Sequence, residues 1–218
     1  MRAVNGGLLD ILGEDAARWR QTMTRRRFGR DEVIMHEGEV GDTLHVIDKG
    51  RAIVQVTTAA GDVAALGVRG PGDVVGELAL VGAGRRTAKV TAMEATETLS
   101  LTRDRLEDLR RTEPRVDRYL VALLAEKLAE TTNQLMEVLF LPVETRVLRV
   151  LARLADAFDN GTERVVVRVR QEDLAAMAGT RRQTANRPLK DAEAAGAISI
   201  ERGRIEIIDR SLLESLAR

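Results

Sequence analysis

The feature that most constrains the fold is a long stretch with no residue that breaks a helix. From Arg115 to Phe140 the sequence contains neither glycine nor proline. Apolar residues recur through this stretch at helical spacing: Leu120, Leu123, Leu124, Leu128, Leu135, Val138 and Leu139. The pattern predicts one helix about 35–40 Å long, since each helical residue adds about 1.5 Å. Its length favours a dimer seam similar to a coiled coil over a helix packed only on its own domain.

Short segments of a different kind precede this helix. After a helical entry at residues 7–24, period-two stretches such as "TLHVIDKG", "RAIVQVTTAAG" and "ETLSLT" run from about residue 27 to residue 103. Glycine, often followed by aspartate, separates most of them, as at Gly50, Gly61 and Gly72. Short strands with regular turn residues predict an antiparallel barrel or sandwich.

Proline ends the long helix, and a different pattern follows. Pro142 disfavours a helical conformation at Leu141, so we expect a hinge at residues 140–142. Beyond it come a helix ("VETRVLRVLARLADAF"), a strand ("RVVVRV"), two short helices separated by Gly179, and a hairpin ("AISIERGRIEII"). This order predicts a winged helix-turn-helix domain.

Composition excludes several kinds of chemistry. The chain of 218 residues has no cysteine, which removes disulfides, thiolate metal sites and thiol nucleophiles. Its two histidines, His36 and His45, lie in strand-like sequence without other metal ligands nearby, so no metal site is expected. No nucleophile–base pair is visible, and an enzyme is not expected. The chain shows neither a signal segment nor an apolar run long enough for a membrane, which predicts a cytoplasmic protein with no membrane partner.

The stretch "VVGELALVGAGRRTAKV" at residues 74–90 predicts a small-ligand site. Glu77 and Arg86 stand nine residues apart across a glycine-rich loop, each beside a small or hydroxylated residue. An ion pair alone would not need the glycines. A ligand that carries both hydroxyl groups and a phosphate would suit the acid, the arginine and the close backbone.

Positive charge is concentrated on the second short helix of the C-terminal region. Although lysine and arginine balance aspartate and glutamate at 34 each in the whole chain, residues 181–190 are basic and contain no acid. Arginine fits the O6 and N7 atoms of guanine, and glutamine fits N6 and N7 of adenine. The alternative is an ordinary solvated basic helix, but turn, charge and wing together favour DNA. The residues expected to bind DNA are Arg170, Gln171, Arg181, Arg182, Gln183, Thr184, Arg187 and Lys190.

With "GELAL" followed by "RTA", a long helix and then "RRQTANR", nearly the whole chain resembles one family of bacterial transcription regulators, that of the cyclic-AMP receptor protein (catabolite activator) and the fumarate-nitrate regulator. The resemblance implies an α+β fold with a jelly-roll-like β-roll at residues 1–114, a dimerisation helix at residues 115–140 and a winged helix-turn-helix at residues 141–218. It further implies a homodimer that binds pseudo-palindromic double-stranded DNA and contacts RNA polymerase.

The resemblance also assigns roles at the ligand site. Glu77 would accept from the ribose 2′-hydroxyl of cyclic AMP, Gly76 would let the backbone approach, and Arg86 would pair with the cyclic phosphate. Thr131 and Thr132 would bond the adenine amino group, one from each chain of the dimer. The full set implied for the nucleotide is Gly76, Glu77, Leu78, Arg86, Thr87, Ala88, Thr131 and Thr132.

Three features leave alternatives open. The threonine of "RTA" also suits guanine, so cyclic GMP is an alternative ligand, and a ligand-independent regulator is another. Gln183 stands where the best-known recognition helix has an acid, which predicts a different preferred base. Pro188 lies within the expected recognition helix, so that helix either bends after Arg187 or is shorter than usual.

Overall fold

The computed structural model describes residues 7–82, 84–161 and 164–218. It divides into two compact units: the first contains the chain up to Val56 together with Val68–Thr131, and the second contains Thr57–Gly67 together with Thr132–Arg218. These limits differ from those expected at residues 114 and 140, and residues 1–6 of the first expected domain lie outside the described part.

Eight short strands build the β-rich region, which confirms the expected fold class. They are β1 (Thr24–Phe28), β2 (Val33–Met35), β3 (Thr43–Lys49), β4 (Ala52–Thr57), β5 (Val63–Arg69), β6 (Val74–Val75), β7 (Lys89–Ala92) and β8 (Thr96–Thr102). They form two sheets, in the orders β1-β8-β3-β6 and β2-β7-β4-β5. The paired strands of the first sheet are antiparallel, and β3 places His45 opposite Ser100 and Ile47 opposite Thr98.

Helices border these strands. A 3-10 segment at Asp10–Asp15 leads into α1 (Ala16–Thr22), α2 (Glu77–Val81) follows β6, and α3 (Arg103–Thr112) follows β8. Alternate residues of β3 and β8 point to the same side of the sheet, where Leu44 and Leu101 meet Leu106 of α3. The core of the first unit is therefore mainly aliphatic, in keeping with the scarcity of aromatic residues.

The long helix, α4, runs over Arg115–Phe140, which confirms its expected limits. Its first turns pack into the core of the first unit through Val116, Tyr119 and Leu120. In this part of α4 the alternative of a helix packed on its own domain therefore holds, because Leu120 is buried by its own chain. Farther along the helix, Leu128 and Leu135 are 69% and 56% exposed.

The second unit contains the expected helix-turn-helix and wing. Its elements are α5 (Val143–Phe158), β9 (Val165–Val167), α6 (Gln171–Met177), α7 (Arg182–Ala194), β10 (Ile198–Glu201), β11 (Arg204–Ile207) and α8 (Arg210–Leu216). The three strands form a sheet in the order β10-β11-β9. The final helix, α8, was not expected from the sequence, although Asp209 caps it by accepting a 2.9 Å hydrogen bond from the backbone N–H of Leu212.

The break between α4 and α5 at residues 140–142 is bridged by side chains of α5. Arg146 Nη1 donates to the carbonyl oxygen of Val138 at 3.0 Å, and Arg153 Nη1 donates to both carboxylate oxygens of Glu137 at 2.8 and 2.9 Å. Rotation about the expected hinge would break these bonds. Within the second unit, the last turns of α4 are thus joined to α5.

Candidate functional site

Glu77 begins α2 directly after Gly76, whose positive φ is a conformation that favours glycine. Gly76 has φ 83°, and a Cβ atom at this position would collide with Nη1 of Arg86. This turn buries Glu77, which is 2% exposed. The absence of a side chain at position 76 therefore brings the acid and the arginine into one small region of the first unit.

The carboxylate of Glu77 is paired with a residue that the sequence reasoning missed. Lys127 Nζ, on α4, lies 2.7 Å from Glu77 Oε1 and also donates to the carbonyl oxygen of Val74 at 3.1 Å. Lys127 comes one helical turn before Thr131, the distance at which two residues share a helix face. That spacing was the only sequence pattern that pointed to it.

Arg86 is buried and is held by oxygens of the barrel. Its Nη1 donates to the carbonyl oxygens of Thr43 and Gly76 at 2.6 and 2.9 Å, and its Nη2 donates to Thr43 Oγ1 at 2.9 Å. These bonds occupy three of the five N–H groups of a guanidinium. Nε–H and one Nη2–H donate to no acceptor in the described part of the chain, so they are left for a further partner.

The electrostatic surroundings of Arg86 favour its charged form despite burial. Burial lowers the pKa of Arg86 from its ordinary value, whereas the negative charges of Asp42, Glu39 and Glu77 oppose that change. Glu77 raises the pKa of Arg86 through its negative charge and not through a direct ion pair, because its carboxylate bonds Lys127. The alternative of a structural Glu77–Arg86 ion pair thus finds no support among the described contacts.

A second glycine makes the region around Arg86 tight. A Cβ atom on Gly41 would lie 2.5 Å from the Cβ of Ala79 and 2.9 Å from Nε of Arg86. Ala79 belongs to α2, so the backbone at residue 41 lies close to both that helix and the arginine. The arrangement leaves no room for a larger residue at position 41.

The remaining residues expected at the ligand site differ in exposure. Ala88 is buried, whereas Leu78, Thr87, Thr131 and Thr132 are exposed. Thr131 Oγ1 donates to the carbonyl oxygen of Lys127 at 2.8 Å, one turn before it on α4. Gly76, Glu77, Arg86 and Lys127 are therefore brought together in the first unit, while Thr132 belongs to the second unit.

The expected recognition helix presents its polar side chains to solvent. Ala185 and Leu189 of α7 are buried against the second unit, and Gly179 in the preceding turn has φ 62°. This packing leaves six of the residues expected to bind DNA exposed, namely Arg181, Arg182, Gln183, Thr184, Arg187 and Lys190.

Proline 188 does not shorten α7. The helix continues through Pro188 to Ala194, and the proline ring is buried. Of the two alternatives for this helix, the shorter one was therefore wrong. The exposed arginines of α7 precede Pro188 in the chain. The position that lacks a backbone N–H therefore does not belong to the solvent-facing surface of the helix.

The other two residues expected to bind DNA lie at the start of α6. Arg170 directly precedes this helix, and its Nε donates to the buried Asp173 at 2.8 Å and lies 3.2 Å from a carboxylate oxygen of Glu172. Its charge is thus offset locally. Half-buried Gln171 is the first residue of α6. Sequence reasoning missed Arg202, an exposed residue at the tip of the β10–β11 hairpin, for which the "RGR" turn was the available pattern.

Two further observations concern metal ions and membranes. No group of three or more histidine, cysteine, aspartate or glutamate side chains within the described ranges is placed to hold a metal ion. Across those same ranges, every helix is too short or too polar to cross a membrane.

Comparisons with known proteins agree with this geometry. Residues 25–113 match the cyclic nucleotide-binding domain family, and residues 145–216 match the Crp-like helix-turn-helix domain family. Because the two matches contain the Glu77–Arg86 region and α7 respectively, each candidate site falls in the domain whose function fits its chemistry.

Relatives of the whole chain carry corresponding names. The CRP-like cAMP-activated global transcriptional regulator of Mycobacterium tuberculosis is 32% identical over 194 residues, which cover 88% of this chain and 87% of the relative. The cyclic AMP receptor protein of Thermus thermophilus is 32% identical over 193 residues, covering 88% of each chain. Among solved structures, the c-di-GMP responsive global regulator CLP of Xanthomonas campestris has a TM-score of 0.73 at 25% identity, covering 88% of this chain and 96% of that one. The chain is therefore a member of the CRP/FNR family, a transcription regulator with a cyclic nucleotide-binding domain and a DNA-binding helix-turn-helix domain, and not an enzyme.

Proposed function

We propose that this protein is a homodimeric transcription regulator that binds cyclic AMP and then pseudo-palindromic DNA. The observation that supports the ligand most directly is the buried arginine with two remaining donors beside a buried carboxylate. Arg86 uses three N–H groups on barrel oxygens, and its Nε–H and second Nη2–H would bind the cyclic phosphate. Glu77 keeps Oε2 for the ribose 2′-hydroxyl while Lys127 holds Oε1.

The two threonines on α4 suit a ligand shared by two chains. A helix turns about 100° per residue, so Val121, Leu128 and Leu135 share one line along α4. Thr131 and Thr132 flank that line on opposite sides, with Thr131 on the side of Lys127. If two copies of α4 meet along the apolar line, Thr131 would contact the base in its own chain and Thr132 would contact the base in the partner.

The second unit would bind DNA through α7. Arg182, Gln183 and Arg187 are exposed on this helix and would enter the major groove, while Arg202 on the wing would contact a phosphate. Selection from a randomised half-site tests this role: Gln183→Glu should shift the preferred base from adenine towards cytosine. An unchanged selected site would contradict it. As a regulator of transcription, the DNA-bound dimer would also contact RNA polymerase.

Cyclic AMP is proposed over cyclic GMP because one relative reported above is named as cAMP-activated and the other as a cyclic AMP receptor protein. Calorimetric titration of the full chain with cyclic AMP, cyclic GMP and cyclic di-GMP tests the choice. We expect the tightest binding for cyclic AMP, with one site per chain. Tighter binding of either guanine nucleotide would reassign the ligand, and no binding of any of the three would leave a ligand-independent regulator.

A pair of neighbouring arginines provides a matched control for the same titration. Arg86→Gln removes the buried cation and should weaken cyclic AMP by about tenfold or more, since hydrogen bonds to charged groups contribute about 1.5–3 kcal/mol. Arg85→Gln changes an adjacent exposed residue that bonds the carbonyl oxygen of Gly38 at 2.8 Å. The Arg85 variant should bind like the natural protein, and equal losses in both variants would contradict the assignment of Arg86.

A further inference from the structure

The short helix α2 ends with backbone carbonyls that need donors. The helix has five residues, Glu77–Val81, and helices leave their last four carbonyl groups without intrahelical partners. Leu78 meets this need through the backbone N–H of Gly82, at 2.9 Å. Ala79 and Leu80 have no such local donor in the described turn, and they receive theirs from a distant part of the chain.

That donor is Arg103, the first residue of α3. Its Nη1 donates to the carbonyl oxygen of Leu80 at 2.7 Å, and its Nη2 donates to that of Ala79 at 2.9 Å and to that of Gly41 at 3.4 Å. Its backbone N–H donates to the carbonyl oxygen of Asp42 at 2.7 Å. One residue thus ties α2 to the segment formed by residues 41 and 42.

These two pieces of chain enclose the ligand-binding arginine. A Cβ atom on Gly41 would collide with both Ala79 of α2 and Nε of Arg86, and one on Gly76 would collide with Nη1 of Arg86, so both glycine backbones lie close to the arginine. Asp42 is the first of the carboxylates that favour the charged form of Arg86. Arg103 bonds the side chain of neither Glu77 nor Arg86. Its bonds to the backbone nevertheless help to set the distance between Glu77, which begins α2, and Arg86.

We propose that Arg103 is a positioning residue of the nucleotide site, holding α2 at the distance from Arg86 that one cyclic nucleotide can span. The proposal rests on the proposed function, because it concerns how that same site grips its ligand. Arginine is required because its planar fork reaches three separate carbonyl oxygens, whereas the single ammonium of lysine cannot match that geometry.

The test compares two positions on α3. Arg103→Met and Arg103→Lys remove or degrade the bridge, and Arg105→Met is the matched control, since Arg105 is exposed two residues farther along the same helix. Calorimetry with the full chain uses two probes, cyclic AMP and 2′-deoxy cyclic AMP. Fluorescence of Trp19, the only tryptophan, reports whether each variant still unfolds cooperatively, because this side chain packs against the core of the first unit.

We expect Arg103→Met to weaken cyclic AMP by about tenfold, Arg103→Lys to weaken it by a smaller factor, and Arg105→Met to leave it unchanged. The 2′-deoxy probe lacks the hydroxyl that Glu77 would bind, so its affinity should fall by less than that of cyclic AMP in the same variant. A merely structural residue would lower both affinities equally. If Arg103→Met does not unfold cooperatively, the comparison is made with Arg103→Lys alone.

Three results separate the two proposals. If the natural protein binds neither probe, the proposed function fails and this inference falls with it. If the natural protein binds cyclic AMP and the folded Arg103 variant binds it equally well, only the inference on Arg103 is overturned. Equal losses for both probes would also overturn it, since they would show a general loosening and no selective effect on Glu77.

Discussion

Glu77 is a buried carboxylate. Among the described residues, the one that forms an ion pair with it is Lys127, fifty positions later in the chain. Removing one member of a buried ion pair lowers the free energy of unfolding, because the other charge is left unpaired in the protein interior, which solvates it poorly. The pair therefore holds the start of α2 near α4, and it engages one of the two carboxylate oxygens of Glu77, Oε1.

Lys127→Met should lower the free energy of unfolding of the first unit by about 2–4 kcal/mol, because it leaves the Glu77 carboxylate unpaired. Adding Glu77→Gln should recover most of that loss, since a neutral amide needs no cation. Denaturant unfolding followed by Trp19 fluorescence measures both values. If the double variant is as unstable as the sum of the two single variants, the proposed pairing is wrong.

His45 gives the first unit a specific pH dependence. Burial, with Arg86 and Arg26 adding to it and Asp42 opposing, lowers the pKa of His45 to about 4. The unfolded chain, with an ordinary histidine, takes up a proton below about pH 6.5, whereas the folded chain does not do so until about pH 4. Stability is thus retained above pH 6.5 and lost as the pH falls from 6.5 to 4.

His45→Asn should remove this loss while keeping an amide near Thr98, whose Oγ1 lies 3.0 Å from His45 Nδ1. Between pH 7 and pH 4.5 the natural protein should lose about 2–3 kcal/mol more unfolding free energy than the variant. Unfolding by denaturant at the two pH values, again read from Trp19, measures the difference. The same loss in both proteins would show that His45 is not the group responsible.

At the residue scale the sequence predicted Glu77 and Arg86 as ligand-site residues but not the groups that hold them. Both stand in one short motif, so their neighbours along the chain revealed them. Thr43 and Lys127 come from β3 and α4, and only the folded chain brings them to the site. Thr43 supplies two of the three acceptors of Arg86, a role that a lone threonine in a strand does not indicate.

At the scale of elements, α4 has two apolar sides with different partners. Val116, Tyr119 and Leu120 pack into the core of the first unit, whereas Val121, Leu128 and Leu135 are exposed at intervals of seven residues. The second set is what two parallel copies of the helix would bury. The sequence predicted the ends of α4 correctly because glycine and proline are absent between them, but it could not tell which leucines face the barrel.

Leu128→Lys should weaken the dimer by at least about 100-fold, because two leucine side chains leave the seam and two like charges approach each other. Asn133→Lys is the control, since Asn133 is exposed on the side of α4 away from the apolar line. Sedimentation equilibrium gives both dissociation constants. A dimer that survives Leu128→Lys with unchanged affinity would place the interface elsewhere.

At the scale of the whole molecule, α4 is one continuous helix whose residues are divided between the two compact units. Its last turns are joined to α5 by Glu137, which lies 2.8 Å from Arg153 and 3.5 Å from Arg149. The sequence suggested a hinge at Pro142, where the backbone conformation changes. It could not show that side chains from α5 bridge this break.

Glu137→Gln should therefore reduce the factor by which nucleotide increases DNA affinity, while the affinities of the separate sites change little. The amide keeps hydrogen bonds but loses the attraction to two arginines. Glu144→Gln, on an exposed acid in the first turn of α5, is the control. Gel shifts at zero and saturating cyclic AMP measure the factor, and an unchanged factor in Glu137→Gln would show that this joint does not transmit the signal.

The most direct test of the central claim measures nucleotide binding and DNA binding on one sample. DNA fragments are first selected from a randomised pool, and their affinity is then determined with and without cyclic AMP at concentrations fixed by calorimetry. A regulator switched by this site should bind DNA at least about fivefold more tightly with nucleotide, and Arg86→Gln should abolish the difference. Binding of cyclic AMP with no change in DNA affinity, or an equal change in the Arg86 variant, would contradict the account.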